Sequence, residues 1–388
     1  MIATEHDVRE QAAQRFAQLG WPTPRQEEWK YTNVGPIARV AWKFGSDAAP
    51  VPNDFRFFER ATAEHVFVNG HNSGGMAAAL QSRYADYMRH PFTALNTANA
   101  QDGALIEIPD GSVVDGFIHL LFVGDGDEVW SHPRNLIVVG RNAHVSIVET
   151  YVGRGKYFTN TVTELVAKEG AVVDHTKIEC ESLDAFHVGT LQIHQERASS
   201  VISRCIVIGG ALVRNEINVA LAGEGASITL DGLFTLTGNQ HCDNHTVVDH
   251  LYRHCDSVEL YKGILDQSAR GIFDGKIIVR PDAQKTSSRQ TNHNLLLSET
   301  AIVDSKPTLE IHNDDVKCNH GSTIGQLDEE AMFYLRSRGI GEAEARGLLI
   351  YAFASEIVDR MKVEPVRELV RREMFRSMPE RLPERRER

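Results

Sequence analysis

The sequence predicts a mainly β protein, a right-handed parallel β-helix core with N-terminal and C-terminal α-helical domains. Three observations carry that expectation. From about residue 60 to 315 the chain consists of short β-branched runs punctuated by Gly, Asn and Asp, with Met76 to Arg89 as the one helix-like interruption. Within this stretch NAHVSIVET, GAVVDHTKI, ASSVISRCI, GASITLDGL, DSVELYKGI and QKTSSRQTN begin at residues 142, 170, 198, 225, 256 and 284, at intervals of 28, 28, 27, 31 and 28. A second strand-like series, from NTVTELV at 160 to PTLEIHN at 307, falls between them. Two strands per repeat suit a flattened coil whose strands pair with the turns above and below, and several turns must stack before the inward residues are buried. The third observation is the change to helical texture on either side. A β-sandwich also has many short strands, but nothing in it requires a constant period.

Taken in order, residues 1–58 form an N-terminal helical region. Glu5 to Leu19 has helical periodicity, and Trp21-Pro22-Thr23-Pro24 breaks it. Trp29-Lys30-Tyr31 reads either as a partner anchor or as packing of this region on the end of the coil. Residues 46–58 are linker-like, rich in Pro, Ala and Asp. The β-helix core takes residues 59–322, and its two open ends need covers, which the helical ends are expected to supply. In residues 323–388, Met332, Phe333, Leu335 and Ile340 and then Ala345, Leu348, Leu349, Ala352, Phe353, Ile357 and Met361 recur at helical spacing, with Gly339 and Gly341 between the two patterns. A third helix is expected over Pro365 to Phe375. The first two stripes exceed what two short helices bury on each other, which points to a partner groove or the end of the coil. The Arg-rich tail from Arg371 to Arg388 reads as a frayed, solvated end.

Composition narrows the function classes. A formal net charge of −12 argues against nonspecific nucleic-acid binding, which needs clustered Lys and Arg. No apolar run is long enough to span a bilayer. The first twenty residues lack the basic and apolar segments of a secretory signal and read as a mature cytoplasmic N-terminus. Five cysteines, Cys180, Cys205, Cys242, Cys255 and Cys318, are an odd, scattered set with no C-x-x-C, so neither a disulfide framework nor a zinc ribbon is encoded. The phosphate-binding G-x-x-x-x-G-K-[ST] motif is absent too, so nucleotide hydrolysis would fall to a partner. A β-helix polysaccharide lyase or hydrolase is an alternative class, but aromatics are only 7% and Asp174, Asp231 and Asp249 show no paired arrangement.

Two places could carry metal chemistry. In an extended segment residues i and i+2 point the same way, so Cys318 and His320 can present a thiolate and an imidazole to one target. Both suit iron, yet an iron–sulfur cluster usually takes four protein ligands, so the pair is half a site and another chain must complete it. Taken singly, Cys318 also reads as a small core filler and His320 as a satisfied polar residue. The run HCDNHTVVDHLYRHC, with His241, Cys242, His245, His250, His254 and Cys255, fits no zinc spacing and falls within the repeat, where alternation scatters its side chains; we read it as structural.

The run VRPDAQKTSSRQTNHNLLLSETAIVDSKPTLEIHNDDVKCNHGSTIGQLDEEAMFYLRSRGI, Val279 to Ile340, resembles the shared core of the SufB and SufD proteins of iron–sulfur cluster assembly. LYKGILDQSARGIFDGKI extends the resemblance back to Leu260, and PTPRQEEWKYTNV carries it at the N-terminus. The WKYT segment, the chain length and Gly321, which follows His320 where SufB proteins carry Glu, favour the SufD branch. The resemblance implies a non-catalytic scaffold that pairs with SufB through the β-helix. By position Cys318 and His320 match the residues implicated at the SufB–SufD interface, where iron and the nascent cluster are shared transiently and none is held tightly by the isolated chain. It also implies that the SufC ATPase docks on the C-terminal helices, placed here on Phe333, Tyr334, Leu335, Arg336, Arg338, Gly339, Ile340, Leu348 and Leu349. Reduced flavin, to which the family's complexes have been linked, and a homodimer of the isolated chain are left open, as is a self-sufficient SufB-like assembler.

Overall fold

The computed structural model describes residues 5–45, 51, 55, 61–72 and 84–377, and within them the chain winds as a parallel β-solenoid. One long face is a ten-stranded sheet in which Ala63–Val68, Ile118–Asp125, His144–Arg154, Val172–Cys180, Ser200–Val207, Ser227–Leu236, Asp256–Leu265, Ser287–Leu296 and Lys317–Gly325 pair in that order, all parallel, and the short His71–Asn72 adds antiparallel to the first of them. The other face stacks Tyr157–Ala167, Phe186–Gln195, Leu212–Leu221, His241–His250, Arg270–Val279 and Ile302–Ile311, again parallel, below shorter strands that include Val129–Ser131 and Arg134–Val139. The ladder runs three residues past the expected boundary at 322, to Gly325.

The repeat is real, and its register differs from the composition-based alignment in the later turns. His144, Val172, Ser200, Ser227, Asp256, Ser287 and Lys317 stand one above another, at intervals of 28, 28, 27, 29, 31 and 30 residues. One corner is rebuilt at each turn by a residue with left-handed backbone: Asn142, Gly170, Ala198, Gly225, His254 and Lys285. The N–H of each bonds a carbonyl of the next turn, from Asn142 to Glu169 at 2.9 Å through to Lys285 and Asp315 at 2.7 Å. At Gly170 a Cβ would meet the Asn142 side-chain oxygen as well as strain the turn, so glycine is the least strained choice there. The following residue is always small and buried: Ala143, Ala171, Ser199, Ala226, Cys255 and Thr286.

Inward residues fill the coil. Phe67, Leu120, Ile147, Val173, Val201, Ile228, Phe234 and Phe273 belong to one apolar core, each burial contributing about 1.5–3 kcal/mol. The largest group of inward polar side chains is paired within itself. Lys177 Nζ lies 2.7 Å from Glu179 Oε1 and donates to Asn215 Oδ1 at 2.8 Å, while His187 sits between Glu179 and Glu181 at 2.9 and 2.8 Å.

Six helices are described: α1 (Glu5–Leu19), α2 (Gly35–Ala38), α3 (Pro91–Asn99), α4 (Glu329–Ser337), α5 (Glu342–Val358) and α6 (Glu364–Ser377). They do not cover the ends of the coil as expected; they clamp its two outer faces. Trp29, Val34, Ile37, Phe92 and Leu95 pack on Phe158, Phe186, Val188 and Leu212 of the second face. On the opposite side Ile350, Ala354, Ile357, Val366, Leu369 and Met374 pack on Val148, Ile178, Ile206, Leu233, Leu260 and Leu295 of the first face. A strand buried on both sides needs apolar residues at successive positions, which Cys205-Ile206-Val207-Ile208 has. Ion pairs fix the second clamp: Lys262 to Glu356 at 2.5 Å and Arg360 to Asp231 at 2.9 Å.

Two local expectations change and a third is untested. Of Met76 to Arg89, residues 76–83 lie outside those described, and Tyr84 to Arg89 form bends and a turn, not a helix. The linker at 46–58 is likewise outside them, apart from Val51 and Phe55. The third helix, expected over Pro365 to Phe375, is α6 at Glu364–Ser377, so the Arg-rich tail read from Arg371 as frayed begins inside it, where Met374 is buried. Among the described residues no helix is long and apolar enough to cross a membrane.

Candidate functional site

The coil ends in two unpaired edges. Among the described residues Lys317–Gly325 bonds only to Ser287–Leu296, and Ile302–Ile311 only to Arg270–Val279. Pro307, which has no N–H to give a ladder, sits on one of these edges, as proline in a sheet must. Cys318 is in register with Ser288 and His320 with Gln290, and both of those are buried inward-facing residues. Cys318 and His320 therefore head the inward row of the last turn, with nothing stacked above them. Cys318 is half-buried against Ile277, Val279 and Ala283, while His320 is exposed. Across the interior Ser322 Oγ donates to Ser305 Oγ at 2.8 Å, and Ser305 Oγ donates to Asn292 Oδ1 at 2.8 Å, which ties the two faces of this turn together.

The structure thus brings Cys318 and His320 to one side of one strand, at an exposed edge. Burial pushes the Cys318 thiol up from its ordinary range, so ligation of a metal there must expel a proton. Among the described residues no group of three or more His, Cys, Asp and Glu side chains is placed to hold a metal ion.

The residues His241 to Cys255 go to three places. His241, Asp243 and His245 point out to the docked N-terminal segment: His241 Nε2 is 2.8 Å from Thr32 Oγ1, and His245 Nε2 is 2.9 Å from Asp243 Oδ1. Arg214, bonded to Asp243 at 2.5 Å, lies 3.7 Å from the Trp29 ring, so the Trp29 segment is an intramolecular anchor on a face of the coil. Cys242 and His250 point inward and are buried. Cys255 occupies the small-residue corner, with its Sγ donating to Gly223 O at 3.3 Å.

The C-terminal candidates divide. Phe333, Tyr334, Arg336, Arg338, Gly339 and Leu348 are exposed, while Leu335, Ile340 and Leu349 are half-buried. Asp328 caps α4 by accepting from the N–H groups of Glu330 and Ala331, and Gly339, left-handed with φ 86°, ends it. The helix projects Phe333, 76% exposed, and Tyr334, 57% exposed, beside a cleft lined by Asp328, Glu329, Ala331 and Ser337. Two such aromatics on one turn form a patch of the kind used for binding.

Sequence reasoning missed the inward polar row Ser288, Gln290, Asn292 and Asn294, all buried beneath the open turn. Its signal was present in SSRQTNHNLL, a strand with four successive polar inward positions where each earlier turn has apolar ones among them.

The family model for SUF system FeS cluster assembly, SufBD core domain, matches residues 122–353, from the first long turns of the coil into α5. The chain belongs to the SufBD family. This SufBD protein is 33% identical to the iron–sulfur cluster assembly SufBD family protein slr0076 of Synechocystis, over 91% of this chain and 86% of that one. It is 29% identical to the iron–sulfur cluster assembly protein SufD of Escherichia coli, over 95% and 92%, and 27% identical to the chloroplastic protein ABCI7 of Arabidopsis thaliana, over 94% and 84%. Membership places the chain among proteins of iron–sulfur cluster assembly, as a SufD homologue.

Proposed function

We propose that this SufBD protein is a non-catalytic cytoplasmic scaffold of a SUF complex, in which the open end of its coil pairs with a SufB-type subunit and the nascent iron–sulfur cluster is transient cargo at that junction. The observation that carries the reading is the last turn, where two strand edges of nine and ten residues are left unpaired with a thiol and an imidazole in the row between them. Long bare edges invite pairing with another chain, and a monomeric protein ordinarily blunts or covers them. A second β-solenoid stacked end to end would continue both ladders and bring its own ligands to the same interior row. Cys318, once deprotonated, and His320 would supply half of the iron shell. The ATPase partner, of SufC type, would dock on α4 through Phe333 and Tyr334, while α5 and α6 hold that helix to the first face.

Removing residues 326–388 is a poor test of this, because it would also strip the apolar cover from the first face. Point substitutions separate the two contacts. Co-expressed with SufB-type and SufC-type subunits and purified anaerobically, the wild-type chain is expected to bring down both, with iron. Cys318→Ala and His320→Ala should keep both partners and lose iron, and Phe333→Ser with Tyr334→Ser should release the ATPase alone. Iron content indifferent to Cys318 and His320, or a stoichiometric cluster reconstituted on the isolated chain, would sink the proposal.

A further inference from the structure

The turn beneath the open end has a hydrogen-bond order of its own. Gln290, fully buried, is the register neighbour of His320 on one side and of Glu259 on the other. Its Nε2 donates to Glu259 Oε2 at 2.6 Å. An ionised carboxylate accepts and cannot donate, so the amide nitrogen is the group that faces Glu259, and the carbonyl is left for another partner. That carbonyl, Oε1, is buried and has no hydrogen-bond partner within the chain. Buried acceptors of this kind are costly, by about 1–3 kcal/mol, and a native fold rarely keeps one idle.

The same inward column shows what such an acceptor does for a histidine. His175, Ser203, Leu230, Glu259, Gln290 and His320 follow one another up the coil in strict register. At the buried end of this column His175 Nδ1 is 2.9 Å from Ser203 Oγ, its register neighbour, and Nε2 is 3.1 Å from Glu149 Oε1. Adjacent turns thus fix both ring nitrogens. At the open end His320 has a register neighbour on one side only, and that neighbour is Gln290.

We propose that Gln290 is the positioning residue for His320: its Oε1 accepts one imidazole N–H, fixes the tautomer, and leaves the opposite ring nitrogen aimed out of the coil as the metal ligand. Glu259 acts one turn further in, by holding the Gln290 amide the right way round. A ligating histidine whose second nitrogen donates to a fixed acceptor is oriented and made more basic, and loss of such an acceptor typically lowers metal affinity 10–100-fold. This inference rests on the reading that His320 ligates iron.

The test uses the full chain labelled with 15N in histidine, at pH 8, where Glu259 is ionised, and reads the ring nitrogens by NMR; Fe(II) affinity is then titrated anaerobically in the complex with the SufB-type partner. The His320 signals, identified by their loss in His320→Ala, are expected to show one tautomer in the wild type. They should show a mixture in Gln290→Met, which keeps the volume and removes the acceptor, and a single tautomer again in Gln290→Glu, whose carboxyl shares a proton with Glu259. If Gln290→Met does not fold, Glu259→Gln, which lets the amide turn over, is expected to give the same mixture. Fe(II) affinity should fall 10–100-fold in the variants with mixed tautomers and recover in Gln290→Glu. A His320 tautomer unchanged in Gln290→Met and Glu259→Gln would overturn the proposal. A tautomer that shifts while His320→Ala leaves Fe(II) binding intact would uphold the Gln290 contact and discard the iron reading instead.

Discussion

His175 and His320 stand in the same inward column five strands apart, and only one of them is core. His175 has a turn above it and a turn below, is fully buried, and spends both nitrogens on its neighbours. His320 has a turn on one side only, and is exposed. The same contrast separates the neighbouring columns: Lys177 and Glu179 pair in the closed interior, whereas Ser322 and Ile324, their counterparts in the last turn, face the open end. In a coil built by stacking, an inward position becomes a site where stacking stops. On the proposed function, chemistry at the end of the solenoid would need no pocket carved into it; the interior itself, left uncovered, would supply the ligands.

That contrast can be tested by perturbing the closed interior and the open end in turn. The largest effect is expected for Lys177→Met, which leaves buried Glu179 with His187 and Asn215 but without its lysine. Removing one member of a buried ion pair costs about 3–5 kcal/mol, and urea unfolding should show a lowered midpoint with little change of slope. A smaller effect is expected for Glu259→Gln, and it depends on pH. Burial pushes the Glu259 carboxyl up to about 7, against hydrogen bonds from Thr246 and Gln290. Between its unfolded value of about 4.5 and 7 the native chain holds a proton that the unfolded chain has released, so this group's contribution to stability falls as pH rises through that window. The variant should lack that slope and gain about 2–3 kcal/mol relative to wild type at pH 8, compared with pH 4.5, in parallel unfolding curves. The smallest effect is expected for Cys318→Ala and His320→Ala, within about 0.5 kcal/mol of wild type, because the open turn contributes little packing. Equal destabilisation by Lys177→Met and His320→Ala would erase the distinction between interior and end.

The coil was legible because its corner repeats: a left-handed residue such as Asn142 or Gly170, then a small one, then alternation, recurs at each turn. The register of the later turns was less so, for two different reasons. At Ser227 and Asp256 the composition-based alignment slid by two residues, and a slip of two keeps every side chain on its own face, so the apolar pattern cannot detect it. At Ser287 to Leu296 the inward residues are polar, and a strand without an apolar face carries no signal to fix its pairing at all. Helix α3 escaped notice because Phe92 to Thr97 are all buried, which leaves no stripe to read. Helices α4 to α6 were legible as helices, but their docking on a sheet face was not, since the partner surface of Val148, Ile178 and Ile206 is spread over turns far apart in sequence. Of the candidate site, the residue types and their shared side were readable; that their turn is the last, with both edges bare, is a property of where the chain stops coiling.

The corner ladder has one further consequence. Each left-handed residue is bonded to the carbonyl of the following turn, so a turn in the middle cannot open without breaking contacts on both flanks, whereas the terminal one can peel from a single side. Amide hydrogen exchange should therefore be graded along the axis, fastest at Lys317–Gly325 and slowest near Val172–Cys180. Capping of the frayed turn by another subunit would register as protection spreading inward from that edge.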